Sequence, residues 1–351
     1  MNRQNLLASI ANTIKDYRQG EISPITPDHV DKWVSQFEKE DQLIILYEIN
    51  NLLSKYYFSK SKTVSFLKAI FKRQDIFGEN PSSTIPCTNF LNIQRKGSSQ
   101  KDLIKLASNV AYNEYGTIIN ENISSPIGFI YLDDCIFSGN TVVHDLESLL
   151  SQNKLSNCQI YFVFLACHSS GIKYMFKRLQ TVAKKKNIDL PHYFYSVEFE
   201  NNDLNSDKYD CLWSKEVTND NYVFNFVNLV SNNAQQKGWN PRLFRPDHVP
   251  SQETLFSSPQ NRDIVEKAFL KKGAYICSLP KNRQKSMRPM GYEYLESLGF
   301  GSIFITYRNI ANNCPLVLWW GDPSYSSSHP FSQWYPLFPR KVNEQSSIIM
   351  F

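Results

Sequence analysis

The stretch from Ile127 to Thr141, IGFIYLDDCIFSGNT, limits what this chain can fold into more than any other. It opens with Ile127, Gly128, Phe129, Ile130, Tyr131 and Leu132, an apolar run bounded by Pro126 and by two acids. A run this short and this apolar predicts a buried central strand. Asp133 and Asp134 follow, then the small polar turn Ser138, Gly139, Asn140, Thr141. Beyond the turn, Val142, Val143, Leu146, Leu149 and Leu150 recur at helical spacing with polar residues between them. The order is therefore strand, paired acids, small polar turn, helix.

That order has a chemical logic. Ligands bind at the carboxyl ends of strands in open α/β sheets. A turn of Ser, Gly, Asn and Thr lets backbone N–H groups converge at a helix start, where the dipole favours an anion such as phosphate. Two adjacent carboxylates can accept hydrogen bonds from vicinal sugar hydroxyls. Together these parts describe a pocket for a ribose 5-phosphate. The plainer alternative is a buried strand that ends in a solvated turn.

LDDCIFSGNT resembles the phosphoribosyl-diphosphate-binding motif of type I phosphoribosyltransferases. The resemblance implies that Asp133 and Asp134 contact the ribose hydroxyls. It implies that Ser138, Gly139, Asn140 and Thr141 bind the 5-phosphate. Other α/β sites fit less well. A phosphatase of the haloacid dehalogenase type wants its acids two positions apart, and a response-regulator pair normally follows the first strand.

Composition sets broad bounds. The chain has 351 residues, 42% hydrophobic and 14% aromatic, enough for a sizeable core and against global disorder. A net charge of +5 suits a phosphate-rich ligand or weak contact with nucleic acid, and is too mild to establish either. The seven cysteines form no CxxC pair, and their number is odd. They predict reduced packing in the cytoplasm rather than a disulfide framework or a zinc site. The start, MNRQNLLASIANTIKDYR, lacks the long apolar core of a signal peptide, and no apolar run is long enough to span a membrane.

Taken in order, residues 1–75 read as a helical N-terminal cap. Leu6, Leu7, Ile10 and Ile14 form one stripe. Thr26 and Pro27 make a cap and first-turn proline ahead of Val30, Trp33, Val34 and Phe37. Two further apolar patterns run through Leu43–Leu53 and Val64–Phe71. Residues 76–250 read as the α/β core. Strands are expected at Phe90–Ile93, Ile160–Cys167 and His192–Phe199, with helices through Leu103–Val110 and Ile172–Val182. Strands spaced in this way predict βαβ units and a parallel sheet flanked by helices, a phosphoribosyltransferase-like α/β fold. The polar, irregular stretch 200–260 reads as surface loop, with Arg242, Arg245, Asp247 and His248 as candidate ligand contacts. Residues 251–351 read as a C-terminal α+β extension, with a helix through Ile264–Leu270 and strands at Ile303–Tyr307 and Leu316–Trp320. Trp319, Trp320 and Trp334 are expected in the core, with a base-stacking platform as the alternative.

The polar loop Arg95, Lys96, Gly97, Ser98, Ser99, Gln100 ends the strand before the central one. Arg95, Lys96 and the amides around Gly97 and Ser98 are candidates for a second phosphate group; in the family the matching loop contacts pyrophosphate. A solvated basic turn is the alternative. The chain departs from the family in one respect: no Lys or Arg lies between Lys105 and Lys154, where a catalytic enzyme usually has a mobile loop with basic residues. Expelling pyrophosphate from C1 needs its charge neutralised, by Mg²⁺ and by Arg or Lys. The tail, with TPDHVDKWVSQF near the front, looks like a group of phosphoribosyltransferase-like proteins encoded in bacterial antiviral defence loci. That likeness implies an effector acting at ribose C1 on phosphoribosyl diphosphate or a nucleotide, with Mg²⁺ and a defence-system protein partner. A non-catalytic sensor of the same ligands that regulates a partner is the alternative reading.

Overall fold

The computed structural model describes residues 2–341 except 96, 121, 122, 124, 152–154, 191, 205, 206 and 293–295, and leaves the side chain of residue 151 undescribed. The chain divides into two compact units, Lys60–Asn202 and Met1–Ser59 together with Asp203–Phe351.

The Lys60–Asn202 unit is built on a parallel sheet. Its strands run in the order Thr88–Phe90, Gly128–Ile136, Cys158–His168, Tyr193–Phe199, with the two-residue strand Ile188–Asp189 paired to the start of Cys158–His168. The register puts Phe90 beside Ile130, Tyr131 beside Phe162, and Phe164 beside Tyr195. Central strands of such a sheet are covered on both faces, which is why IYFVFLAC reads as one unbroken apolar run and is buried throughout. The helices Asn140–Ser151 and Ser169–Lys185 press Val142, Leu146, Met175 and Leu179 into one core with Tyr131, Phe162 and Phe164.

Three details differ from the sequence reading. The strand expected at Phe90–Ile93 lies at Thr88–Phe90, so the polar residues before Phe90, not the apolar ones after it, carry the pairing. The central strand does not stop at Leu132. It continues through both acids to Ile136, with Asp133 beside Phe164 and Cys135 beside Ala166. The helix after the basic loop begins at Ser99, so Ser99 and Gln100 belong to its first turn and Gln100 is buried.

In the other unit the helices Arg3–Thr13, Pro27–Val34 and Gln42–Tyr56 pack with segments from the C-terminal part of the chain. Thr26 caps as its sequence predicts, its side chain accepting from His29 N–H at 3.3 Å with Pro27 in the first turn. Trp33 and Trp334 both donate their indole N–H to Val317 O, at 2.8 and 3.0 Å. Trp319, Trp320 and Trp334 are all buried, which leaves no open face for stacking a base. Leu316–Trp319 is a single helical turn after Pro315, not a strand, and the expected strand Ile303–Tyr307 is paired only at Ile305–Thr306. A short buried apolar run has no period to separate strand from helix.

The stretch read as loop holds a helix of 16 residues, Asn221–Gln236. Asp220 caps it by accepting from Val223 N–H at 3.0 Å, and Val223, Phe226, Val230 and Ala234 form its buried stripe. Arg245 is not a ligand contact but a buried ion-pair partner of Asp263 and, at 3.0 Å, of Glu266. Arg262 reaches the other oxygen of Glu266 at 3.2 Å and Glu253 at 2.6 Å. Buried charges persist only when paired in this way. Asp247 is exposed and pairs with Lys215 at 3.2 Å; Arg242 and His248 are exposed as well.

Candidate functional site

The turn after the central strand lies at the carboxyl edge of the sheet. Gly139 sits at φ +79°, which glycine adopts without strain. Its neighbourhood gives a second reason for glycine. A Cβ at Gly139 would meet Gly171 O at 2.4 Å, and one at Gly171 would meet Phe137 O at 2.0 Å. The turn and the start of the helix Ser169–Lys185 therefore touch backbone to backbone.

The helix Asn140–Ser151 starts in that turn, and Val143 N–H makes a ladder bond to Gly139 O at 3.1 Å. The amides before it precede the ladder and need another acceptor. Asn140 N–H has only a long 3.5 Å bond to Ser138 Oγ among the described residues. Asn140 and Thr141 are exposed and Ser138 is half-buried. The next helix start is different. Asn201 Oδ1 accepts from Ser170 N–H at 3.0 Å and from Ser170 Oγ at 2.7 Å, so the chain fills that end itself. Of the two neighbouring helix starts, the one at Ser138–Thr141 is the one left open to an anion.

The acids stand just before this turn, within the strand. Asp133 is nearly buried and Asp134 half-buried. The two carboxylates are therefore not equivalent in exposure. Asp133 Oδ1 accepts from Ser99 Oγ at 2.8 Å and from Asp134 N–H at 2.8 Å. Behind Ser99 the loop is closed by two amide side chains. Gln100 Oε1 accepts from the N–H groups of Ile93 and Gln94 at 2.7 and 3.0 Å, and Gln94 Oε1 accepts from Gln100 N–H at 3.1 Å. Within this loop Gly97 takes φ +90°, and Ser98 donates to Asp102 at 3.0 Å. Arg95 is exposed and donates to Ser148, on the helix that follows the phosphate turn. Lys96 lies outside the described residues.

The electrostatics of this edge follow from burial. Burial raises the Asp145 carboxyl above its ordinary value, against the hydrogen bond from Tyr131 (3.1 Å) and the nearby Arg95, which both lower it. His168, at the end of the next strand, is stacked between Phe137 and Phe199 with ring centres 5.2 and 5.1 Å away. Burial pushes its pKa down to about 3, despite a bond at 3.2 Å from Nδ1 to Ile136 O. The ring is neutral at physiological pH, and that bond fixes the last residue of the central strand just ahead of the turn.

A family model, PRTase-CE, matches residues 30–340. The chain belongs to the PRTase-CE family. Searches of curated proteins and of solved structures returned no match. Membership makes this a phosphoribosyltransferase-like protein, and the mixed α/β unit with its parallel sheet agrees with that.

For a member of the PRTase-CE family, the placement of the sequence-predicted residues is as follows. Asp133, Asp134, Ser138, Gly139, Asn140 and Thr141 come together on one strand-turn-helix, and Arg95, Gly97 and Ser98 lie on the loop after the neighbouring strand. Sequence reasoning passed over Gln94 and named Ser99 and Gln100 only as part of the polar loop. Their polar side chains look solvated in a loop, and nothing in their spacing shows that they turn inward. A cavity of about 700 Å³ lies at the other edge of the sheet, by Ile127, Cys158, Gln159 and Asp189. It holds none of these residues.

Mg²⁺ usually takes one or two carboxylates and completes its shell with water and substrate phosphates. Asp133 and Asp134 suit that role, and no group of three His, Cys, Asp or Glu side chains fit to cage a metal occurs among the described residues. Among the described residues no helix is long and apolar enough to cross a membrane.

Proposed function

We propose that the protein binds a ribose 5-phosphate compound, phosphoribosyl diphosphate or a nucleotide, at the turn Ser138–Thr141 and acts at ribose C1. The open helix start beside two carboxylates carries this reading, and family membership supports it. The 5-phosphate accepts from the amides of Gly139, Asn140 and Thr141 and from the Ser138 and Thr141 hydroxyls. Asp133 and Asp134 accept from the two ribose hydroxyls. As the bond from C1 to its leaving group breaks, positive charge develops on the ribose and the fixed carboxylates stabilise it. When bound, Mg²⁺ supplies charge neutralisation to a departing pyrophosphate. The amides of Gly97 and Ser98 face the same task. The likeness of the C-terminal third to proteins of bacterial defence loci supports a role as an antiphage effector.

One observation favours a second reading, a sensor that binds the same ligands and regulates a partner. No Lys or Arg lies between Lys105 and Lys154, and Arg95 is engaged by Ser148. The cations that normally help a pyrophosphate depart are therefore few here.

Isothermal titration with phosphoribosyl diphosphate and a panel of common nucleotides, each with Mg²⁺, tests the shared core of both readings. Saturable heat with at least one of them is expected. No heat with any would remove the ligand assignment.

A further inference from the structure

We propose that Ser99 is a positioning residue for Asp133, so that Gln94, acting through Ser99, sets the orientation of the acid that meets the ribose. The inference rests on the ribose 5-phosphate reading of the same site.

The direction of the hydrogen bonds is fixed by elimination. Ser99 has one hydroxyl proton and, among the described residues, two acceptors within reach, Asp133 Oδ1 at 2.8 Å and Gln94 Oε1 at 3.3 Å. Asp133 Oδ1 is the nearer acceptor by 0.5 Å, so the proton goes to Asp133. Gln94 then donates from Nε2 to the Ser99 oxygen, at 2.9 Å. The amide cannot flip without cost, because its Oε1 holds Gln100 N–H at 3.1 Å. The result is a one-way relay from Gln94 through Ser99 to Asp133. Asp134 N–H meets the same Asp133 oxygen at 2.8 Å, so two donors from different elements lock the carboxylate against rotation about its own axis. A carboxylate held by one donor retains that freedom, and a ligand must freeze it on binding. Ser99 also stands in the first turn of the helix Ser99–Tyr115.

The test is a double-mutant cycle read by calorimetry with phosphoribosyl diphosphate and Mg²⁺. Ser99→Ala is expected to weaken binding about tenfold, the effect of one hydrogen bond to a charged group. Ser99→Thr restores it, because the hydroxyl is kept. In the Asp133→Asn background, Ser99→Ala is expected to add little further loss, because its route to the ligand is already broken. Ser99→Val against Ser99→Thr repeats the comparison at constant shape, so a folding defect in Ser99→Ala leaves the test standing. If Asp133→Asn weakens binding and Ser99→Ala and Ser99→Val do not, the inference falls while the site reading stands. Equal losses from Ser99→Ala with and without Asp133 would also overturn it. Absence of binding by the wild-type protein would overturn both.

Discussion

Gly171→Ala is expected to destabilise the Lys60–Asn202 unit by about 3 kcal/mol or more. The sign is opposite to the usual one. Gly171 is the third residue of the helix Ser169–Lys185, and replacing glycine by alanine inside a helix ordinarily stabilises by about 1 kcal/mol. Here the added Cβ would lie 2.0 Å from Phe137 O, a backbone atom held by the end of the central strand. Neither partner is a flexible side chain, so the helix or the turn must shift. Urea unfolding of Gly171→Ala beside wild type measures the cost, and a midpoint equal to or above wild type would mean that the close approach of turn and helix is absent. The same contact governs how Gly139 variants are read. A Cβ there would lie 2.4 Å from Gly171 O, so any loss of ligand binding mixes a damaged fold with a blocked phosphate. Thr141→Ala, at an exposed position, is the cleaner probe of the turn.

The Asp133→Asn/Asp134→Asn double variant is expected to lose about a hundredfold or more in affinity for the ribose 5-phosphate ligand. Each carboxylate that accepts from a sugar hydroxyl makes a charge-assisted bond worth about 1.5–3 kcal/mol, and the neutral amide keeps the shape but not the charge. Two such losses together exceed 2.7 kcal/mol, about a hundredfold. The same variant separates enzyme from sensor. If the acids stabilise charge at C1 as the leaving group departs, release of pyrophosphate or free base falls further than affinity does, even with ligand saturating, because only differential stabilisation accelerates a reaction. If they only hold the ribose, a partner's response returns at high ligand concentration. Unchanged affinity in the double variant would remove the carboxylates from the site.

Much of the sheet was legible because buried parallel strands are written as apolar runs. Ile160–Cys167 lies inside the strand Cys158–His168, and the turn Ser138–Thr141 opens a helix as its small residues imply. The cap at Thr26 was legible for a local reason: cap and first-turn proline adjoin in sequence. What escaped reading depends on partners far along the chain. The helix Asn221–Gln236 was hidden by its asparagines, which occupy the face turned from the core, while Val223, Phe226, Val230 and Ala234 carry the stripe. Leu316–Trp319 was misread because an unbroken apolar run has no period. The central strand was drawn too short because two adjacent acids look like a strand end, yet a hydrogen bond from Ser99, 34 positions away, lets Asp133 stay inside the sheet. Arg245 looked like a ligand contact because its carboxylate partners, Asp263 and Glu266, lie 18 and 21 positions on, within the next helix. In the site itself, the residue types on the strand and turn showed the chemistry, and the residues that hold them in place were visible only in three dimensions.

The central claim is that the 5-phosphate of a ribose sits on the amides that open the helix Asn140–Ser151. A crystal structure of the protein grown with phosphoribosyl diphosphate and Mg²⁺ tests it most directly. The expected result is density for a phosphate within hydrogen-bond distance of the Gly139, Asn140 and Thr141 amides, with the ribose hydroxyls beside Asp133 and Asp134. Ligand density at any other place, with solvent alone on those amides at saturating ligand, would contradict it.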